Sequence, residues 1–142
     1  MNNYPKTNKR DDKSNNYQSQ PQLPKFNPNW IKKGIDKECV FYCEELAKYL
    51  GKNVSSSFLR NIFGEIKRIE ARGFESSKPD FYMLRPKVAY TVARAKERND
   101  NPEAFKEAYE KMADQVETAT DFKNLVNMIE AIVAFHKVYN PK

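Results

Sequence analysis

Histidine, cysteine and glycine are scarce in this chain of 142 residues, which holds one histidine, two cysteines and four glycines. The glycines are too widely separated to form a phosphate-binding loop, and no cluster of acidic residues has the spacing of a two-metal site. Nucleophilic catalysis needs a nucleophile, a base and an orienting group. The only histidine, His136, falls on the apolar face of a predicted helix. We therefore expect no catalytic activity, no metal and no cofactor.

Long hydrophobic runs are also absent. The longest wholly apolar stretch covers residues 131–135, which is far too short to cross a membrane, and the N-terminus does not resemble a signal peptide. Cys39 and Cys43 lie four residues apart on the apolar face of a predicted helix, which is typical of buried reduced thiols. These features favour a cytoplasmic protein without a membrane partner.

The first 28 residues differ in composition from the rest of the chain. They hold four of the eight prolines and a single leucine, and they contain no Ala, Val, Ile or Gly. Such a segment buries too little apolar surface to offset the entropy that is lost on ordering. We therefore predict a disordered Pro/Asn-rich tail over residues 1–28, on which folding does not depend, and a folded domain over residues 29–142.

Helical periodicity dominates the folded part, and no segment alternates convincingly like a β-strand. Pro86 suits the first turn of a helix, which makes residues 74–83 a connection, and Thr120 with Asp121 forms a predicted cap for the last helix. The predicted fold is all-α, a compact bundle of about five helices with a disordered N-terminal tail. The predicted helices cover about residues 36–50, 57–72, 84–98, 103–117 and 122–139.

Two of these helices carry basic residues opposite their apolar stripes. The basic lines consist of Arg60, Lys67 and Arg68 on the second helix, and of Lys87, Arg94 and Arg98 on the third. The net charge is +6, and the tail supplies +3 of it through five basic and two acidic residues. Segregated charge of this kind predicts a polyanionic partner. Tyr90 lies on the basic line of the third helix, where two roles stay open: stacking on a base, or covering the core.

Three separated segments carry a family resemblance. They are SFLRNIFGEIKRIE at residues 57–70, LRPKVAY at residues 84–90, and residues 122–139 with the ending FHKVY. Together they resemble the small helical subunit of the type III-A CRISPR–Cas (Csm) effector complex, in the right order and over nearly the whole folded part. The resemblance implies a helical bundle without catalytic activity. Such subunits stack beside those that hold the guide RNA and line the groove where target RNA pairs with the guide.

The resemblance also implies which residues bind RNA, and Lys137 is a weaker match among them. It implies a non-catalytic small subunit in antiviral defence, with residues 29–142 as the RNA-binding domain. The implied partners are target RNA, guide RNA, and the backbone and large subunits of the complex, while self-association stays open. The residues that match basic positions of the family, and that we expect to contact the RNA backbone, are Arg60, Lys67, Arg68, Arg85, Lys87 and Arg94.

Two other functions stay open on the residues alone. One is a helical DNA-binding regulator, although a helix-turn-helix has a turn of three or four residues and about a dozen separate the two basic helices predicted here. The other is a protein–protein adaptor whose basic lines meet acidic partners. Steeply salt-sensitive and sequence-tolerant binding of single-stranded RNA fits only the first function, RNA binding.

Overall fold

The computed structural model describes residues 23–98 and 100–140, and every regular element within these ranges is helical. The predicted all-α bundle is confirmed, since α2 to α6 correspond to the five predicted helices and α1 adds one short turn. Two 3-10 turns follow α2 and α3, at Gly51–Asn53 and Glu75–Ser77. The α-helices are α1 (Asn29–Lys32), α2 (Lys37–Leu50), α3 (Ser56–Arg72), α4 (Lys78–Glu97), α5 (Glu103–Asp114) and α6 (Ala119–Tyr139).

Helix α6 is the centre of the bundle and packs against α1, α2 and α3. Helix α4 packs on α3, and α5 packs on α4 and α2. Leu125, Val126, Met128 and Ile129 are all buried, so the apolar face of α6 is about 160° wide. A face of this width needs several neighbours to cover it, which accounts for the central position of α6.

Helix α4 begins six residues before the predicted start, at Lys78, so that much of the predicted connection is helical. Pro79 lies in its first turn, where the missing N–H costs no hydrogen bond. Pro86 lies inside the helix. Phe81 and Leu84, one turn apart, are both buried. This packing outweighs the roughly 3 kcal/mol that a proline costs inside a helix.

Local capping interactions mark the start of α3 and the end of α2. The Ser55 hydroxyl accepts a hydrogen bond from the backbone N–H of Phe58 at 3.1 Å and caps α3. Gly51 ends α2 with a φ of 41°, a conformation that favours glycine.

Helix α6 begins with a capping box at Thr118, two residues before the predicted cap at Thr120. The Thr118 hydroxyl accepts from the backbone N–H of Asp121 at 3.1 Å. The Asp121 carboxylate accepts from the backbone N–H groups of Thr118 at 3.2 Å and Glu117 at 3.0 Å. Because this carboxylate holds the chain just before α6, α5 ends at Asp114 and not at residue 117 as predicted.

The segment before α1 packs against the bundle. Phe26 contacts the rings of Trp30 and Tyr42, with centroid distances of 5.8 Å and 6.1 Å, and Leu23 also packs on the core. The composition had assigned both Leu23 and Phe26 to the tail. The folded part therefore extends upstream of α1, while the rest of the predicted tail, residues 1–22, lies outside the described residues.

The single histidine and both cysteines belong to the core. His136 is buried, and its Nε2 lies 2.9 Å from the carbonyl oxygen of Gly51. Cys39 and Cys43 are buried free thiols, as predicted. A hydrogen bond with Cys39, together with burial, raises the pKa of the Cys43 thiol, so this thiol stays protonated.

An ion pair joins α1 to the start of α6. Lys32 Nζ lies 2.9 Å from Asp121 Oδ2 and 2.7 Å from Glu117 Oε1. Burial acts to raise the pKa of Asp121, but the hydrogen bonds from Lys32 and from two backbone N–H groups outweigh it and lower the pKa. Asp121 is therefore ionised near neutral pH, where it stabilises this junction.

Unfolding at several pH values tests this junction. A carboxyl whose pKa is lowered in the folded state stabilises the fold above its unfolded pKa, and this contribution is lost as the pH falls through the folded value. We expect the free energy of unfolding to fall below about pH 4, and to fall less in Asp121→Asn. Urea titrations would measure this, with Glu130→Gln, an exposed carboxyl on the same helix, as the control. Equal acid sensitivity of Asp121→Asn and the wild type would contradict the assignment.

Candidate nucleic-acid interface

Helix α3 exposes its predicted cations on the side opposite its buried stripe. Arg60, Lys67 and Arg68 are all exposed. Lys67 Nζ donates to Glu70 Oε1 at 2.7 Å, and Arg68 donates to Glu65 Oε2 at 2.6 Å. Among the residues that the structure describes, Arg60 has no carboxylate partner. The exposed side of α3 therefore carries these three cations, and two of them form ion pairs with carboxylates of the same helix.

Helix α4 places Lys87 and Arg94 beside these cations. Lys87 Nζ lies 3.7 Å from Glu65 Oε1. The Glu65 carboxylate on α3 therefore pairs both with Arg68 of its own helix and with Lys87 of α4. Further along α4, Arg94 donates to the Tyr90 hydroxyl at 3.0 Å. Glu65 thus joins cations of the two predicted basic lines, Arg68 on α3 and Lys87 on α4, into one surface, which together with Arg94 we call the α3–α4 face.

Arg85 does not lie with the other predicted residues. It is two positions from Lys87, which on an α-helix means a rotation of about 200°. Its guanidinium donates to the carboxylate of Asp114 and, at 3.4 Å, to the carbonyl oxygen of Glu110 on α5. Arg85 therefore faces α5, on the opposite flank of α4 from Lys87.

The structure adds Arg72 to the α3–α4 face, a residue that the sequence analysis did not single out. Arg72 is exposed and donates to Asp80 at 2.9 Å. It shares a polar depression of about 170 Å³ with Arg68 and Lys87. Its position four residues after Arg68 was the available signal, because i and i+4 share one side of a helix.

Arg60 lies toward the other flank of α3. With Lys137 and the buried ring of His136 it lines a depression of about 240 Å³ between α3 and α6. Lys137, the weaker match among the predicted RNA-binding residues, is exposed there. The cations of α3 consequently point toward both of its neighbours, α4 and α6.

The carboxylates on this surface stay ionised. The hydrogen bond from Arg68 lowers the pKa of Glu65, and the hydrogen bonds from Lys123 and Lys67 lower the pKa of Glu70. The paired cations of the α3–α4 face are themselves exposed, and their carboxylate or hydroxyl partners are exposed or half-buried. Exposed ion pairs are weak in water and weaker in salt. A polyanion therefore loses little free energy when it replaces these carboxylates as the partner of the cations.

An open groove of about 480 Å³ runs between α3 and α4. Ile62, Met83 and Pro86 contribute to its apolar walls, and Tyr90, which belongs to the predicted basic line of α4, also lines it. Tyr90 is 63 % exposed, so it does not cover the core. The sequence left two roles open for Tyr90, stacking on a base or covering the core, and the structure excludes the second.

The described residues, 23–98 and 100–140, contain neither a membrane-spanning helix nor a cluster of metal-binding side chains. None of their helices is both long and apolar enough to span a bilayer. No group of three or more His, Cys, Asp or Glu side chains among them is placed to hold a metal ion.

Fold and site together define a small all-helical protein with a basic face formed by two neighbouring helices. Comparison with protein families gives a match to Csm2 Type III-A over residues 36–142. The chain belongs to this family and is a small subunit of a type III-A CRISPR effector complex, which it forms with other Csm subunits. Searches of curated proteins and of solved structures gave no match.

Proposed function

We propose that this subunit binds RNA without cleaving it, in the cytoplasm, as part of an antiviral interference complex. The observation that carries the proposal is the convergence of Arg68 and Lys87, from separate helices, on one exposed face that also holds Arg72 and Arg94. Arginine and lysine on an open surface bind phosphates regardless of base sequence. The proposed ligands are the backbones of target RNA and guide RNA.

In this proposal the subunit reads shape and phosphates, and base pairing between guide and target reads sequence. That division of labour is known from RNA-guided DNA effectors and is applied here by analogy. RNA phosphates take the place of Glu65 and Glu70 as partners of the exposed cations. The other Csm subunits supply the guide and the remaining walls of the groove.

The absence of cleavage is supported by the hydrogen bonds and ion pairs that already engage the candidate acid–base groups. Acid–base cleavage of RNA needs a proton acceptor and donor at the bound strand. His136 is buried and bonded to a backbone carbonyl, and Glu65 and Glu70 are paired with cations. The purified subunit is therefore expected to leave RNA and DNA intact, with or without divalent metal. Metal-dependent cleavage that a single carboxylate substitution abolishes would contradict this.

A charge-matched pair of triple variants tests RNA binding. Arg68→Ala, Arg72→Ala and Lys87→Ala together remove three cations from the α3–α4 face. In the control, Lys33→Ala, Lys37→Ala and Lys111→Ala remove three exposed cations from elsewhere. We expect weaker binding of single-stranded RNA only in the first variant, with the slope of log K against log salt reduced by about 2, because each phosphate contact contributes about 0.7.

Fluorescence anisotropy with labelled oligonucleotides at several salt concentrations gives these slopes. Equal losses in both triple variants would mean that overall charge, and not the α3–α4 face, attracts the RNA. Unchanged affinity in the first variant would place the RNA on another surface.

The DNA-binding alternative needs a separate comparison, since only five residues, 73–77, separate α3 from α4. The connection is far shorter than the sequence predicted, so its length no longer argues strongly against a helix-turn-helix. Family membership and not loop length now favours RNA. Preference for duplex DNA over single-stranded RNA in the same titrations would favour the regulator, and binding of neither would favour the adaptor.

A further inference from the structure

Tyr90 is held in place although it is exposed. Arg94 donates a hydrogen bond to its hydroxyl at 3.0 Å, and the guanidinium carbon lies 5.9 Å from the ring centroid. A restrained aromatic ring loses little entropy when a ligand stacks on it. Tyr90 also lines the groove between α3 and α4.

The groove is of a suitable size for a single nucleotide. Its volume of about 480 Å³ falls in the range of small-molecule sites, roughly 300–1,000 Å³. Ile62, Pro86 and Met83 give it apolar walls, and Met83 is 56 % exposed, which is unusual for so large an apolar side chain. Such walls suit the flat apolar faces of a base.

Polar groups at the groove match the edge of a base. Asn61 lines the groove, and its amide makes no hydrogen bond to any residue in 23–98 or 100–140. An amide offers both a donor and an acceptor, as the Watson–Crick edge of a base does. The Glu65 carboxylate, also in the lining, accepts hydrogen bonds from amino or ribose hydroxyl groups.

Cations flank the ring along the helix. Lys87 lies three residues before Tyr90 and Arg94 four residues after it, which places them roughly 10 Å apart along the axis of α4. A base on Tyr90 then has a cation on either side for the phosphates of its own strand. An aromatic platform between backbone-binding cations is the general arrangement for single-stranded nucleic acids.

We propose that the groove between α3 and α4 binds one unstacked nucleotide of single-stranded RNA, with its base on Tyr90 and the adjacent phosphates on Lys87 and Arg94. This inference rests on the proposed RNA binding and adds a base-binding site to it. The site recognises an unpaired base by its exposed face. A base inside a duplex is already stacked and does not enter the groove.

The chain offers a matched control for Tyr90. Tyr82 lies on the same helix and is also 63 % exposed, but it lines a depression beside Arg85 on the α5 side. We expect Tyr90→Ala to weaken binding of single-stranded RNA by about 5- to 150-fold, and Tyr82→Ala to have no effect. The salt slope of Tyr90→Ala stays that of the wild type, since the ring releases no counterion. Binding of duplex RNA is unaffected by either change.

Tyr90→Phe separates stacking from the contact with Arg94. The phenylalanine ring still stacks but cannot bond to Arg94, so we expect affinity near that of the wild type. An oligonucleotide that contains 2-aminopurine should lose fluorescence on binding to the wild type and to Tyr90→Phe, but not to Tyr90→Ala. Equal losses of affinity in Tyr90→Phe and Tyr90→Ala would overturn stacking and leave Tyr90 as a residue that positions Arg94.

The remaining outcomes distinguish this inference from the proposed function. Salt-sensitive RNA binding with identical behaviour of Tyr90→Ala and Tyr82→Ala would overturn the nucleotide site alone. No salt-sensitive RNA binding by the wild type would overturn both. Unchanged RNA affinity of Tyr90→Ala, combined with poor assembly with the other Csm subunits, would assign the groove to a protein partner instead.

Discussion

Removal of residues 1–35 should lower the free energy of unfolding by roughly 5–10 kcal/mol, although the family match begins only at residue 36. The deleted segment contains Trp30 and Ile31, which are 4 % and 0 % exposed. Losing a buried tryptophan costs about 3–5 kcal/mol and a buried isoleucine about 2–5 kcal/mol. Since small domains are stable by only about 5–15 kcal/mol, a loss of this size removes a large part of the stability of the fold.

The same deletion exposes the partners of this segment on α6. Asn124 donates to the carbonyl oxygen of Ile31 at 2.8 Å, and Lys32 donates to the buried carboxylate of Asp121 at 2.9 Å. Without Lys32, Asp121 keeps only its backbone donors. The loss therefore includes a polar contribution in addition to the apolar one.

Removal of residues 1–22 is the control for this prediction. It takes away none of the contacts described above, so the midpoint of urea unfolding is expected to stay unchanged. Circular dichroism at 222 nm during denaturant titration measures both deletions. A chain of residues 36–142 that unfolds at the midpoint of the full chain would contradict the assignment of Trp30 and Ile31 to the core.

Phe122→Ala is expected to destabilise the protein by about 3–5 kcal/mol. The Phe122 ring stacks on Phe74 at 5.1 Å and meets the edge of Phe81 at 5.4 Å, and all three rings are buried. The substitution leaves a cavity where α6, α4 and the connection after α3 meet. A rigid core closes such a cavity only partly, which is why the cost exceeds the transfer free energy of the ring.

Phe41→Ala removes the same ring from the surface, where Phe41 is 55 % exposed, and should shift the midpoint little. Phe122→Leu provides a milder change if the alanine variant does not fold, and should still destabilise the protein measurably. Both comparisons use urea unfolding followed by circular dichroism. A shift in Phe122→Ala no larger than that of Phe41→Ala would mean that this cluster does not stabilise the bundle.

The helical pattern was readable from sequence because it is local. A repeat of 3.6 residues places Leu59 and Ile66 on the apolar stripe of α3 and Val92 on that of α4, and all three are buried. The cations opposite these stripes are exposed for the same reason. Family membership was also readable, since three separated segments carry it and the family match covers residues 36–142.

Local rules failed where two solutions competed. Both Pro79 and Pro86 suit the start of a helix, and burial of Phe81 decided for the earlier one. Both Thr118 and Thr120 suit a cap, and the reciprocal hydrogen bonds with Asp121 decided for Thr118. In each case the helix start depends on an interaction of another side chain, Phe81 or Asp121, and not on the proline or threonine alone.

The sequence by itself determined the all-helical class, the family, and which side of each helix is basic. Only the tertiary structure decided that Arg68 and Lys87 meet at Glu65 while Arg85 turns toward α5. Periodicity gives the direction of each side chain around the axis of its own helix. It does not give the orientation of one helix relative to the next, which decides which side chains meet. Composition likewise averages over a segment, so it missed Phe26, a single ring that finds its partners only once α1 and α2 have packed.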